Sequence, residues 1–197
     1  MALIRDDLGV RDVVDLRSTA ELKADGRGLL ANESIRFHHV PLFDAETRSD
    51  DSRASGMNLA DLYFFLAEFA KGPIARVIAT LASAPAAAVY HCAAGKDRTG
   101  IVSALVLGLL DVDDEIIVAD YVRSREFLAE IIERLMATEG YRAMFETLPP
   151  DTLHAEPETM SGFLARLRAR YDSLHDYARS AGVCDEDIEL LRKRMIE

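Results

Sequence analysis

The stretch His91-Cys92-Ala93-Ala94-Gly95-Lys96-Asp97-Arg98-Thr99-Gly100 sets five residues between a thiol and a guanidinium, with an apolar run on either side. A loop this short between a strand and a helix must turn sharply, and Gly95 eases that turn. Its backbone N–H groups then face inward as an anion nest. The following helix aims its positive end at the same point. Arg98 can grip two oxygens of an oxyanion at once. The Cys92 thiol therefore meets amides, a helix dipole and a cation, and all three favour thiolate. Ala93, Ala94, Gly95, Lys96, Asp97 and Arg98 form the predicted phosphate cradle. Thiolate and phosphoryl group would share it, which is the arrangement for in-line attack on phosphorus.

Other chemistries fit worse. A nucleotide-binding loop needs Ser or Thr after its Lys and a Gly five residues before it. Here Asp97 follows Lys96, and Tyr90 and His91 occupy the preceding region. A zinc site needs a second ligand pair, and the chain has no C-x-x-C or H-x-x-x-H. His38, His39, His154 and His175 show no ligand spacing either. The chemistry thus predicted needs no metal and no cofactor.

The elements around the loop follow from periodicity. Val10–Arg17, Ile35–Pro41 and Pro85–His91 read as short strands, the last of them as a central strand. Val13, Val14 and Leu16 are the buried candidates of the first. In the second, Ile35, Phe37 and His39 alternate against Arg36, His38 and Val40. Leu59, Leu62, Tyr63, Leu66 and Phe69 share one helical face, and Gly72-Pro73 interrupts it. Pro73 suits the first turn of a second helix carrying Ile74, Val77, Ile78 and Leu81. The helix after Arg98 is apolar nearly all round, which predicts burial. Acidic residues from Asp111 to Glu115 suit the next helix start. Phe127, Leu128, Ile131, Ile132, Leu135 and Met136 make a wide apolar stripe. Leu148–Asp151 reads as a loop. Gly182 ends a later helix, and Asp185 is placed to cap the last. Strands interleaved with helices define an α/β domain with a small, mostly parallel sheet and a helical C-terminal half, one domain over residues 1–197.

Composition narrows the partners. The net charge of −11 argues against nucleic acid, which rewards broad positive faces, and against adsorption to anionic membranes. No apolar run reaches the ~20 residues of a membrane span. No basic-then-apolar leader opens the chain. Two cysteines make no disulfide framework, so a reducing, cytoplasmic compartment is expected. Cys184 reads as a small buried group near a helix start. Asp15 and Arg17 read as a buried structural pair, and Arg123 and Arg125 as part of a solvated face.

The stretch HCAAGKDRTG resembles the signature loop of cysteine-based protein tyrosine phosphatases. It is closer still to the bacterial protein tyrosine phosphatase B-like atypical lipid and tyrosine phosphatases. Val13–Leu22 (VVDLRSTAEL), Val40–Glu46 (VPLFDAE), Ile116–Ser124 (IIVADYVRS) and Tyr177–Val183 (YARSAGV) resemble that subgroup in the same order. The resemblance implies a protein tyrosine phosphatase-like fold, and its members carry a strand pair ahead of the segment where this chain begins. It implies Cys92 as the nucleophile of a phosphocysteine intermediate and Arg98 as the phosphoryl-binding cation. It also implies that Thr99 gives its hydroxyl to the sulfur and that His91 braces the loop.

A leaving group needs a proton, and two aspartates compete to supply it. Asp97 lies inside the nest and needs no loop closure, so it is preferred; its plainer reading is a carboxylate paired with Lys96 or Arg98. Asp44 follows a strand, where the family's mobile-loop acid is expected; its plainer reading is a turn residue. Lys96 is expected as a rim cation for additional phosphates, or simply as the partner of Asp97. The implied substrates are phosphotyrosine proteins and phosphoinositides, with phosphoserine and phosphothreonine besides. In the resembling subgroup the region of residues 127–155 can form a helical lid. Two competing functions remain: a phosphate-recognising module without turnover, and a thiol reductase of the arsenate type, which would need Cys184 as resolving thiol.

Overall fold

The structure is a computed structural model that describes residues 3–44, 57–138, 141–142 and 150–196. Three strands, β1 (Val10–Asp15), β2 (Arg36–His39) and β3 (Ala87–His91), form an all-parallel sheet in the order β2-β1-β3. Val13 of β1 pairs with Phe37 on one side and Val89 on the other. Parallel neighbours require crossovers, and helices supply them. Helix α1 (Thr19–Asp25) lies between β1 and β2; α2 (Leu59–Phe69) and α3 (Lys71–Ser83) precede β3.

The central strand is β1, which corrects the expectation for β3. Val10, Val13 and Val14 of β1 are buried, whereas Val89 of β3 is 37% exposed. The alanine-rich β3 has little apolar surface to bury, so the valine-rich strand takes the middle. The alternation expected around β2 also fails at its end. Val40 is buried, because the chain turns inward there and its N–H donates to the Asp15 carbonyl.

Helix α4 (Asp97–Leu109) follows the loop at Cys92 and is the core helix. Ile101, Val102, Leu105 and Leu109 are fully buried, as its all-round apolar sequence requires. Of the helices that follow, α5 (Asp114–Val122) and α8 (Leu174–Ala181) pack on it; α6 (Arg125–Met136), α7 (Pro157–Tyr171) and α9 (Asp185–Met195) complete the chain, with α9 against α3. A Cβ on Gly108 would sit 2.1 Å from Leu174 Cδ1, so the missing side chain lets α4 and α8 meet closely. The break between α2 and α3 falls at Ala70, two residues before the Gly-Pro pair, and Pro73 occupies the first turn of α3.

Some expectations for the periphery change. Cys184, not Asp185, is the N-cap of α9, and Asp185, Glu186 and Asp187 fill its first turn, where acidic charge suits the helix dipole. Its thiol is exposed and contacts Asp187 Oδ2 at 3.1 Å, so Cys184 is not a buried packing group. Arg125 is exposed but not merely solvated; it donates to the Ala155 carbonyl at 3.0 Å and pairs with Glu156. Among the described residues no helix is long and apolar enough to cross a membrane. Ala45, Glu46 and residues 139–140 and 143–149, which fall within segments discussed above, lie outside the described residues.

Candidate active site

The loop leaves the C-terminal end of β3 and bends through residues 93–96 before α4 begins at Asp97. Gly95 takes φ +69°, the left-handed conformation that the tight turn demands. Gly100 N–H donates to the Lys96 carbonyl at 2.8 Å, which closes the first turn of α4 against the loop. His91 braces this junction: its carbonyl accepts from Leu16 N–H at 2.8 Å, and its Nδ1 lies 3.1 Å from the Cys92 carbonyl.

Thr99 Oγ1 donates to Cys92 Sγ at 3.3 Å. The sulfur is thus held at the N-terminal turn of α4, where the helix dipole favours an anion. Cys92 is only 6% exposed, yet it lines a cavity of about 50 Å³ together with Ala93, Ala94, Lys96, Asp97 and Arg98. Leu128, Ile132 and Leu135 of α6, with Thr152 and Leu153, complete the wall. Within residues 127–155, α6 and residues 152–153 therefore border the cavity that holds Cys92.

Arg98 brings the cradle its guanidinium, and Glu21 fixes that group in place. Nη1 and Nη2 of Arg98 donate to the two carboxylate oxygens of Glu21 at 2.6 and 2.7 Å. A guanidinium has five N–H donors, so donors remain for a phosphoryl group after this bidentate contact. Glu21 is itself anchored. It forms a capping box with Ser18, in which the Ser18 backbone N–H donates to Glu21 Oε2 at 2.7 Å. Tyr141 O–H adds a contact to Oε1 at 3.3 Å. Burial opposes ionisation of Glu21, but Arg98 and Ser18 outweigh it and hold the carboxyl at about 2. Burial likewise works against the Arg98 charge, and Glu21 and Cys92 keep that charge raised in preference. Behind Glu21, the buried pair of Asp15 and Arg17, 2.7 Å apart, braces the end of β1 as a structural contact.

Asp97 and Lys96 take positions the sequence only partly indicates. Asp97 lines the cavity; its Oδ1 accepts from Tyr63 O–H at 2.7 Å and from Lys96 Nζ at 3.0 Å. Lys96 is 1% exposed. Its ammonium also donates to the carbonyls of Thr152 and of His154, the latter at 2.9 Å. Three donors meet three acceptors, so Lys96 is a buried tie between the loop and residues 152–154, not a rim cation. Asp44 accepts from Thr19 N–H at 3.1 Å and from Thr19 Oγ1 at 2.6 Å. This places it at the start of α1, and it is not among the residues lining the cavity with Cys92.

The contacts that Glu21, Tyr63, Tyr121 and Tyr141 make at the site are not visible in the sequence. Only Glu21 left a signal there: Ser18-Thr19-Ala20-Glu21 matches the capping-box spacing, although that spacing says nothing of Arg98. Among the described residues no His, Cys, Asp and Glu cluster could hold a metal ion. Cys92 and Cys184 are both free thiols.

A thiol held between a parallel strand and the N-terminal end of a helix, with five residues between it and a clamped arginine, is the arrangement that a cysteine-based phosphatase requires. Residues 1–197 match the model of the tyrosine phosphatase family, and the chain belongs to that family. It is 29% identical over 229 residues to the triple specificity protein phosphatase PtpB of Mycobacterium tuberculosis, a match covering 94% of this chain and 82% of that protein. It is also 29% identical over 198 residues to a tyrosine-protein phosphatase of Nostoc commune, covering 95% of this chain and 67% of that one.

Proposed function

We propose that this single-domain chain hydrolyses phosphotyrosine in proteins, together with phosphoserine, phosphothreonine and phosphoinositide monoesters, through a phosphocysteine formed on Cys92. The observation that carries this reading is the 3.3 Å contact between Thr99 Oγ1 and Cys92 Sγ inside a cavity that Asp97 and Arg98 also line. In the first step the Cys92 thiolate attacks phosphorus. The S–P bond forms, the ester P–O bond breaks, and the Asp97 carboxyl proton passes to the leaving oxygen. Arg98 and the loop amides hold the equatorial oxygens throughout. In the second step water attacks phosphorus and gives a proton to the Asp97 carboxylate. The S–P bond breaks, and Thr99 O–H stabilises the departing thiolate. Asp44 serves the start of α1 in this reading.

The wider substrate range is supported by the triple-specificity relative and by the resemblance of the loop to that of atypical lipid and tyrosine phosphatases. It does not rest on Lys96, whose donors are occupied. Helix α6 and residues 152–153 act as a cover that excludes water from the reacting phosphoryl group. A reducing cytoplasm suits a nucleophilic thiolate.

Acid quench during turnover of a labelled phosphotyrosine peptide tests the mechanism. A phosphorylated protein adduct is expected in the wild type and none in Cys92→Ser. Phosphate affinity with neither adduct nor turnover would instead indicate a recognition module. The same assay on a phosphatidylinositol phosphate, with Lys96→Ala alongside, tests the substrate range. Lys96→Ala should lose activity equally on peptide and lipid, because it loosens the loop. A loss confined to the lipid would restore the rim-cation role.

A further inference from the structure

Tyr63 is fully buried in α2, yet its hydroxyl ends against a carboxylate at the rim of the cavity. It donates to Asp97 Oδ1 at 2.7 Å, and the Tyr121 hydroxyl of α5 lies 2.9 Å behind it. Nothing in the two-step chemistry uses either tyrosine. Burying two hydroxyls costs stability unless both are satisfied, and a phenylalanine would pack as well. We infer that Tyr63, backed by Tyr121, is a positioning residue that orients Asp97 so that one defined carboxyl oxygen exchanges protons with the leaving group and with water. The inference rests on the reading of Asp97 as proton donor.

The direction of the chain can be worked out. Burial and the neighbouring Asp97 raise Tyr63 well above the usual phenol range, and burial raises Tyr121 too. Both hydroxyls therefore keep their protons. Tyr63 gives its proton to the bond with Asp97, so it accepts from Tyr121. The order is Tyr121 O–H to Tyr63 O–H to Asp97 Oδ1. Lys96 Nζ reaches the same Oδ1 at 3.0 Å. Among the described residues every polar contact of the Asp97 carboxyl falls on Oδ1. The transferable proton then belongs on Oδ2. In the first step Oδ2–H breaks as the leaving oxygen gains its proton. In the second, Oδ2 recovers a proton from water, and the tyrosines keep theirs throughout.

Packing makes the orienting chain rigid. The Tyr63 ring meets Tyr121 and Phe163 edge-on, with centroids 6.1 and 6.0 Å apart. Gly100, in the first turn of α4, leaves room for Tyr121: a Cβ there would come within 3.1 Å of Tyr121 Cδ2. The chain thus joins α2, α5 and the start of α4 at one point.

The test is kcat/KM for two substrates of unlike leaving group, because kcat/KM reports steps up to the first P–O cleavage. A phosphotyrosine peptide needs protonation of its phenoxide, whereas 4-nitrophenyl phosphate needs little. Asp97→Asn sets the reference, with a loss of about 100-fold on the peptide and much less on the nitrophenyl ester. Tyr63→Phe should show the same selectivity at smaller size, about 10-fold on the peptide and under about 2-fold on the ester. Tyr121→Phe, which keeps the Tyr63–Asp97 contact, should give about 3-fold with the same bias, and it carries the test if Tyr63→Phe does not fold. Equal losses on both substrates, or no loss, from the tyrosine variants would overturn the inference while leaving the reference intact. An unbiased Asp97→Asn would overturn the acid assignment itself, and the inference with it.

Discussion

Glu21 serves two elements at once, closing the capping box of α1 and clamping Arg98 from 77 residues away. An arginine free to rotate loses side-chain entropy on binding each phosphoryl group, whereas a clamped one is already ordered. Glu21→Gln keeps the shape and removes the charge. Its expected effect is a drop in kcat/KM of about 10-fold with weaker competition by inorganic phosphate, since the cradle is built but no longer held. The same variant has a stability signature. The carboxyl lies at about 2 against an ordinary 4.5, so the folded state favours its ionised form. That contribution is complete above the ordinary value and disappears as pH falls from there towards the folded one. Glu21→Gln should therefore melt below the wild type near neutral pH, by about 2 kcal/mol for lost hydrogen bonds to a charged group. The gap should narrow on acidification through that window. Melting curves for both proteins at neutral and strongly acidic pH check this, and a gap that does not change with pH would show that neither the Arg98 clamp nor the Ser18 cap depends on the charge of Glu21.

Helix α6 turns Leu128, Ile132 and Leu135 to the cavity while Phe127 stays 61% exposed. If this face limits access to the sulfur, trimming it should expose Cys92 to small reagents. Ile132→Ala/Leu135→Ala, made on a Cys184→Ser background to remove the exposed second thiol, should react with a neutral alkylating agent about 3- to 10-fold faster than its parent. An unchanged rate would assign α6 to the core alone. The contrast between what the sequence does and does not reveal lies at this scale. The loop from Cys92 to Arg98, the strand before it and the buried helix after it are consecutive in the chain, so spacing and periodicity expose them. Contacts joining distant elements leave no such trace. Tyr63 and Asp97 are 34 residues apart and Lys96 and Thr152 are 56 apart. A tyrosine on an apolar helix face reads as core whether or not its hydroxyl ends on a carboxylate. Lys96 read as a surface cation because lysine is rarely buried, and only the adjacent Asp97 carboxylate together with two carbonyls from residues 152 and 154 makes it so. The order of strands escaped for a related reason: apolar runs identify strands, but the sheet's centre goes to the strand that buries both faces, and here that is β1.

The whole molecule sets the field in which the cradle acts. The chain carries a formal charge of −11, while around the sulfur Arg98 and Lys96 are paired with Glu21 and Asp97. Local cations are thus largely neutralised, and in the proposed mechanism close-range capture falls to loop amides, the α4 dipole and the remaining Arg98 donors. At longer range the acidic surface repels a phosphate dianion. The two effects differ in reach. Screening shortens from about 30 Å at 0.01 M salt to about 8 Å at 0.15 M, against a radius of gyration of about 16 Å for a chain of this length. Added salt therefore removes the repulsion of distant surface charge before it weakens contacts inside the cavity. For a phosphotyrosine peptide with neutral flanks, kcat/KM should rise about 3-fold over that range. A peptide with basic flanks should show the opposite trend, because it is steered by the same surface. Anionic vesicles carrying a phosphoinositide should show a steeper rise than the neutral peptide, since each adds further negative charge to the approaching face. Initial-rate measurements at fixed pH and varied sodium chloride distinguish these cases. A steady fall for the neutral peptide would mean that unpaired cations at the cavity govern approach, and that the neutralised cradle described above is incomplete.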